Sequence, residues 1–543
     1  MVTKIKALAL PDDFHLLPGE TLLEDKTVYQ PMRKFDRVPS SLEQMMRLTS
    51  SRSSYTLGRN GPSIAALALE DVPSNKIAIQ GLAFLKKNFT RPLAPGHLRL
   101  YEAVFGRDSL RVAIDLLSSY PELARSTVIK LAELQGTEFN TEREEEPGKI
   151  LHEARSHEDA VAQKLTMNRG WGWPYYGSVD ATPEFIRTLT AYCRLSEENY
   201  KFLSYTYMDK NAQKRSIAYA LDMALEWILQ KLDSNEESLL EYKSFLPRGD
   251  YPNPRGIENQ VWKDSPDAYH HEDGTLANHD QGIASIEVQV TTYDALLDAA
   301  ELYERMYDDK KQAEVFRSQA QKLKNSILKH FWTNDKGGYF VLGTDRDIKG
   351  NLRQLKIRTS NMGHTLNSRL LEGSNSEIVK KREAVVKQLL SPEMLNISGI
   401  RTLATDEVRF RPGAYHNGSV WLWDTHHIAK GFRRHAYHDI ANELDRRMLH
   451  VVETTKIFPE YVRGDDWILP RVNEYTITVW DEEMRRENYI EQPPQEVQAW
   501  TVAAILATKR RIDRNQKRTN PFEVLSDNLL KTLRLPDWLA GLR

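Results

Sequence analysis

The chain has 543 residues, 40% apolar and 28% charged, enough for a large core and incompatible with global disorder. Its net charge of −2 speaks against a dedicated nucleic-acid binder, whose domain is usually basic. The single cysteine, Cys193, rules out an internal disulfide and fits a reducing compartment.

From the start, Met1 to Pro11 carries two lysines but no long apolar run and no small-residue cleavage site. No stretch approaches ~18 consecutive apolar residues, so neither a secretory leader nor a membrane span is expected. A cytoplasmic protein is the expectation. Residues 1–73 are irregular, with scattered prolines, and read as an arm packed on the main body or as partly disordered. Twelve helices follow, at about 75–88, 107–119, 121–135, 182–195, 213–232, 281–307, 309–332, 361–371, 376–390, 420–432, 436–455 and 495–508. The clearest is 309–332, where Ala313, Phe316, Ala320, Leu323, Ile327 and Phe331 step by three or four. Thr182-Pro183 reads as a helix cap followed by a first-turn proline. Strand patterns are few, and Gly337-Gly338-Tyr-Phe-Val-Leu is the best hairpin candidate.

Six long connections, at about 90–105, 136–181, 234–280, 333–360, 391–419 and 456–493, alternate with mostly short ones. Six helix pairs joined in this way predict an all-α fold, an (α/α)6 toroid over 74–508 with its loops on one face. An irregular solenoid would need a fixed-period repeat, and none is visible. Residues 509–543 form an extension whose basic run, Lys509 to Arg518, reads as a solvated continuation of the last helix.

The long loops hold the chemistry. The first ends in Phe105-Gly-Arg-Asp-Ser109, a charged fork and a carboxylate at a helix start. The second holds Glu144-Glu-Glu-Pro-Gly-Lys-Ile-Leu-His-Glu153 and Trp171-Gly-Trp-Pro-Tyr-Tyr-Gly-Ser-Val-Asp180. Aromatics among glycines are costly to expose unless a ligand stacks on them, so a sugar platform is favoured over loop packing. The third holds Val261-Trp-Lys-Asp264-Ser-Pro-Asp267 and the sixth Phe458-Pro-Glu460-Tyr-Val-Arg-Gly464. Two carboxylates, each beside an aromatic, suit inverting glycoside hydrolysis. Trp262 would raise the pKa of the acid, and the other carboxylate, roughly 6.5–9.5 Å from the first, would hold the attacking water. Arg358-Thr-Ser-Asn-Met-Gly-His364, Ser398-Gly-Ile-Arg401 and Tyr415-His-Asn-Gly-Ser-Val-Trp421 add hydrogen-bonding groups. The pairs His270-His271 and His426-His427 lack a metal-ligand spacing, so structural roles are expected for them. No phosphate loop, dinucleotide motif or nucleophile elbow is present.

In this order, the motifs Gly106-Arg-Asp-Ser, Glu145 to Glu153, Tyr175 to Pro183, Trp262-Lys-Asp-Ser, Arg358 to His364, Ser398 to Leu403 and Tyr415 to Trp421 resemble the bacterial amylo-α-1,6-glucosidase, or glycogen-debranching-like, family. The resemblance covers about residues 100–508. More distantly it extends to glucoamylases, trehalases and processing α-glucosidases, which share an (α/α)6 toroid and invert configuration. It implies an α-glucosidase with Asp264 as general acid and Glu460 as general base, and Arg107 and Asp108 at the sugar in the cleavage subsite. Two segments depart from the family pattern: Trp421-Leu-Trp-Asp-Thr-His-His, and Phe458-Pro-Glu-Tyr-Val around the base. Residues 1–73 are too short for the N-terminal β-sandwich of many relatives.

The expectation is therefore an inverting hydrolase of α-glucosides. Its platform would be Trp171, Trp173, Tyr176, Trp262 and Trp421, with Arg107, Asp108, Asp180 and Asn417 on hydroxyls. Its partner is a carbohydrate, with no nucleic acid, membrane, metal or cofactor required. Two rivals are an epimerase or lyase using His364 or His416 as base, and a non-catalytic sugar-binding protein.

Overall fold

The computed structural model describes residues 21–22, 28–29, 103–155, 160–246, 256–455, 457–465, 470, 475–481, 486–492, 494 and 498–518. Most of the arm at 1–73, the predicted helix 75–88 and residues 519–543 lie outside the described residues.

The described residues hold eleven α-helices. They are α1 (Gly106–Leu116), α2 (Pro121–Glu133), α3 (Ala160–Arg169), α4 (Ala181–Cys193), α5 (Ile217–Asp233), α6 (Ile286–Tyr307), α7 (Lys310–His330), α8 (Ser376–Leu389), α9 (Leu422–Arg434), α10 (His438–Thr455) and α11 (Ala499–Arg518). The predicted helix at 361–371 is instead two 3₁₀ segments, Ser360–Asn367 and Arg369–Leu371. Helix α3 was not expected inside the second long loop. The predicted last helix runs ten residues further, to Arg518, and takes in the basic run. Two of those arginines are paired rather than simply solvated: Arg510 bonds the Tyr120 hydroxyl and Arg511 bonds Asp445.

Local sequence explains most boundaries. Pro121 opens α2, where its missing N–H costs nothing. The Ser216 hydroxyl accepts from Tyr219 N–H and caps α5. Asp308 turns left-handed at φ 48° after α6, and Asp309 then caps α7 by accepting from Gln312 N–H at 2.9 Å. The stripe of α7 is buried as predicted, from Ala313 to Ile327. Thr182 is not a cap, because α4 begins one residue earlier and its hydroxyl accepts from Ile150 N–H at 3.0 Å. The Gly337-Gly338 turn does join a hairpin, with Trp332–Thr333 antiparallel to Tyr339–Phe340.

Packing order defines the architecture. Helix α1 packs on α4, α4 on α6, α6 on the 3₁₀ segment 360–367, that segment on α9, α9 on α11, and α11 returns to α1. Outside them, α2 and α5 pack on α4, α7 on α6, α8 on the 3₁₀ segment and α10 on α9. The protein thus has an α/α arrangement of inner and outer helices. Arg107, Asp180, Glu287, Ser360, Trp421 and Gln498, all buried, stand at or beside the N-terminal ends of the six inner elements.

Candidate active site

Two neighbouring inner helices begin the site. Gly106 opens α1, donating its N–H to His152 O at 3.0 Å, and a Cβ there would meet Leu151 O at 2.1 Å. Only glycine allows this approach, and it fixes where Arg107 emerges. Arg107 Nη1 reaches Asp180 Oδ2 at 3.2 Å, just before α4, and Nη2 reaches Asp264 Oδ2 at 3.6 Å. Burial opposes the Arg107 charge, but Asp180, Asp264 and Asp108 outweigh it and hold the guanidinium above its ordinary pKa. Asp180 moves upward, chiefly through burial, against the pull of Arg107 and the Ser178 hydroxyl. Asp108 is buried in the first turn of α1, where the helix dipole favours a carboxylate.

Asp264 is the more open of the two predicted catalytic carboxylates, with 34% of its side chain exposed. Glu460 is 3% exposed. Its segment is held by paired backbone bonds between Val462 and Val420 and by the Thr501 hydroxyl, which donates to Pro459 O at 2.8 Å.

One three-residue segment links the two carboxylates. The Tyr415 hydroxyl donates to Glu460 Oε1 at 2.7 Å. Next to it, His416 Nδ1 accepts from Ser265 N–H at 3.3 Å and meets the Ser265 hydroxyl at 2.9 Å. Then Asn417 Nδ2 donates to Asp267 O at 2.9 Å. Residues 415–417 therefore grip Glu460 on one side and the turn that follows Asp264 on the other. Asn417, expected on a sugar hydroxyl, uses its amide N–H on the protein instead.

Trp262 and Trp421 lie behind these groups rather than open to solvent. Trp262 is 3% and Trp421 1% exposed. Trp262 stands edge-to-face with Trp421 at 5.9 Å, Trp423 at 4.9 Å and His416 at 5.4 Å. Trp421 donates its indole N–H to Tyr415 O at 2.8 Å. They form a wall that excludes water, and the sequence missed two of its members, Trp423 and Trp500, stacked at 5.1 Å. Lys263, next to Asp264, turns inward, its amine donating to Thr402 O at 2.6 Å. Burial lowers it to about 7, partly offset by Asp424 and Glu287.

The second loop departs from expectation. Trp171 stacks on Tyr175 at 3.9 Å and lies 5.9 Å from Trp173, and with Ala162 of α3 and Leu246 they make a small separate core. The Trp173 indole N–H is used on the Thr166 hydroxyl. Tyr176 is 0% exposed, its hydroxyl donating to Leu134 O at 2.7 Å. Trp171, Trp173 and Tyr176 are thus packed into the protein, at 5%, 6% and 0% exposure, and not set out as the open platform expected of them. The glutamates beside them are likewise internal. Glu144 bonds Ser244 and Gln260, and Glu145 pairs with Arg143 and Lys210.

The two histidines proposed for a rival mechanism are both committed. Burial holds His416 well below its ordinary pKa, and the Ser265 N–H on Nδ1 places the ring proton on Nε2, leaving no free lone pair there for a base. His364 Nε2 pairs with Asp424 Oδ1 at 2.6 Å, with its ring parallel to Trp262. Among the described residues no group of three or more His, Cys, Asp or Glu side chains could hold a metal ion, and no helix is long and apolar enough to cross a membrane. His426 and His427 make structural contacts, with Thr508 and Arg111 respectively. The His270 ring bonds His271 O, and the His271 ring bonds Asp345. Cys193 is buried, which pushes its thiol up to about 12.

Known proteins bear on this geometry. Residues 206–466 match the family model described as the mannosylglycerate hydrolase MGH1-like glycoside hydrolase domain, a span that holds Asp264, Asn417 and Glu460. A solved structure, GH63 mannosylglycerate hydrolase from Thermus thermophilus in complex with Tris and D-glycerate, aligns at a TM-score of 0.50 and 14% identity, covering 81% of this chain and 100% of that one. At that identity the likeness speaks for the fold. None of the curated proteins matches the chain. Over residues 206–466 the chain is thus similar to the mannosylglycerate hydrolase MGH1-like glycoside hydrolase domain, and its α/α helical fold is like that of the solved mannosylglycerate hydrolase.

Proposed function

We propose that the protein is an inverting glycosidase in which Asp264 protonates the leaving oxygen and Glu460 activates the attacking water. The observation that carries this reading is the segment 415–417, which bonds the Glu460 carboxylate through Tyr415 and the turn of Asp264 through His416 and Asn417. Groups so tied keep a fixed separation, and inversion needs one of roughly 6.5–9.5 Å to leave room for water. Asp264, the more exposed carboxylate, stands where a leaving group departs, while buried Glu460 suits the enclosed face that holds the water. Arg107, permanently charged between Asp180 and Asp264, would orient sugar hydroxyls in the cleavage subsite with Asp108.

We read the substrate as a small α-hexoside with a carboxylate in its leaving group, of the hexosylglycerate kind, rather than a branched glucan. The matched relatives' names point this way. So does Arg169, a half-buried cation 5.8 Å over the Trp171 ring, with Tyr175, Glu258 and, to a lesser degree, Asp264 in its electrostatic surroundings. The motif resemblance to debranching enzymes favours glucose over mannose in the cleavage subsite. We take the six inner elements as the inner ring of an (α/α)6 toroid over 74–508, with residues 1–73 and 509–543 as appendages. Glycerate release from mannosylglycerate and glucosylglycerate, set against glucose release from isomaltose and maltodextrin, tests the substrate. Faster turnover of the glucans would overturn the hexosylglycerate reading and leave the acid and base assignments standing.

A further inference from the structure

Glu460 presents a physical problem. A base that is 3% exposed loses most of its hydration, and burial disfavours the charged form it needs in order to accept a proton. It also has two oxygens, only one of which should face the water. Resting on the reading of Glu460 as base, we propose that Tyr415 is its positioning residue, fixing Oε1 with its hydroxyl, turning Oε2 to the water and keeping the carboxylate ionised.

The phenol can do this because its ring has little freedom. Tyr415 lies edge-on to Trp421 at 4.9 Å and to Tyr461 at 5.4 Å, and 4.3 Å from the His416 ring. Its backbone carbonyl accepts both the Trp421 indole N–H and the Ser419 hydroxyl, at 2.8 and 2.6 Å. A donor held in this way reaches Oε1 at 2.7 Å without losing entropy on each turnover. Charged and titratable groups near it include Arg107 from α1, His416 from its own segment, and Tyr461 beside Glu460, with Lys263 acting on His416. His416 is held neutral by burial, then by the nearby Lys263 and Arg107 charges.

The test is Tyr415→Phe, which keeps the ring and its packing. A hydrogen bond to an ionised group favours that form, so losing it should move the acid limb of the kcat/KM profile up by roughly 1 to 2 pH units. At the optimum kcat should fall roughly 10- to 100-fold with KM changed by less than about threefold, since the bond acts on the water and not on the bound sugar. Glu460 can also be followed without substrate, by ¹³C NMR of side-chain-labelled glutamate assigned with Glu460→Gln, and its titration should move up with the limb. An unmoved limb and an unmoved Glu460 titration overturn the role, as does a fall in kcat that only follows a loss of thermal stability. Retained activity in Glu460→Gln overturns the base itself. Should the wild type hydrolyse no hexosylglycerate, the substrate reading fails, and the NMR titration still decides the role of Tyr415.

Discussion

Two aromatic regions of similar composition have opposite fates in this protein. Residues 171–176 close on themselves, Trp171 stacking on Tyr175 over α3 in a core of their own. Residues 415–423 pack against Trp262, Tyr461 and Trp500, and their polar atoms reach Glu460 and Ser265. The difference lies in what the hydrogen-bonding groups meet. Trp173 spends its indole on a local threonine, and Tyr176 spends its hydroxyl on a backbone carbonyl. Tyr415, His416 and Asn417 spend theirs on the two carboxylate-bearing segments. Aromatic richness marks buried structure in both places; the second also ties the segments of Asp264 and Glu460 to each other.

The largest effect should separate the regions cleanly. Asp264→Asn and Glu460→Gln each lower kcat roughly 10²- to 10⁴-fold with sugar binding retained, the range expected for a lost general acid or base. Trp173→Ala should instead cost about 3–5 kcal/mol of stability, read by denaturant unfolding, with kcat and KM of the folded fraction unchanged. A raised KM with unchanged stability would restore the platform reading for the second loop.

Lys263 gives a prediction in pH. Its folded-state pKa is depressed to about 7, so between about 7 and 10 the unfolded chain binds the proton that the folded chain refuses. Stability from this group is therefore lost as pH falls through that window, by roughly 1 kcal/mol per pH unit. Lys263→Met should flatten that part of the stability profile, measured by unfolding midpoints at pH 7 and 10. An equal slope in both proteins would mean the amine is not buried beside Trp262. The smallest effect is Asn417→Ala. Freeing the Asp267 carbonyl should cost about 1–3 kcal/mol of stability and slow kcat, leaving the Glu460 titration unchanged, because that clamp acts on the acid's turn alone.

Much of the helical framework was legible because amphipathic periodicity is local: the α7 stripe, the Pro121 start and the Asp308-Asp309 link follow from neighbours in sequence. Helix α3 escaped notice because its buried face is short, Val161 and Ala162 with Leu165 partly covered, inside a stretch that reads as loop. The 360–371 segment has helical spacing, yet tertiary packing against α6 and α9 draws it into 3₁₀ turns. In the site, the residue types of Arg107, Asp264 and Glu460 drew attention on their own. What each bonds to depends on contacts such as the one from Arg107 to Asp180, 73 residues apart in sequence, which no local pattern encodes. Asn417 and Tyr176 show the cost. Both are polar groups inside the motifs that carry the resemblance, and both bond the protein itself.

The central claim is that Asp264 and Glu460 act as acid and base across a single water. Following the first sugar released from an α-hexosylglycerate by ¹H NMR, before mutarotation, tests it most directly. The β-anomer appearing first is the predicted result. The α-anomer appearing first would require a covalent glycosyl intermediate and contradict the assignment of Glu460 as a base.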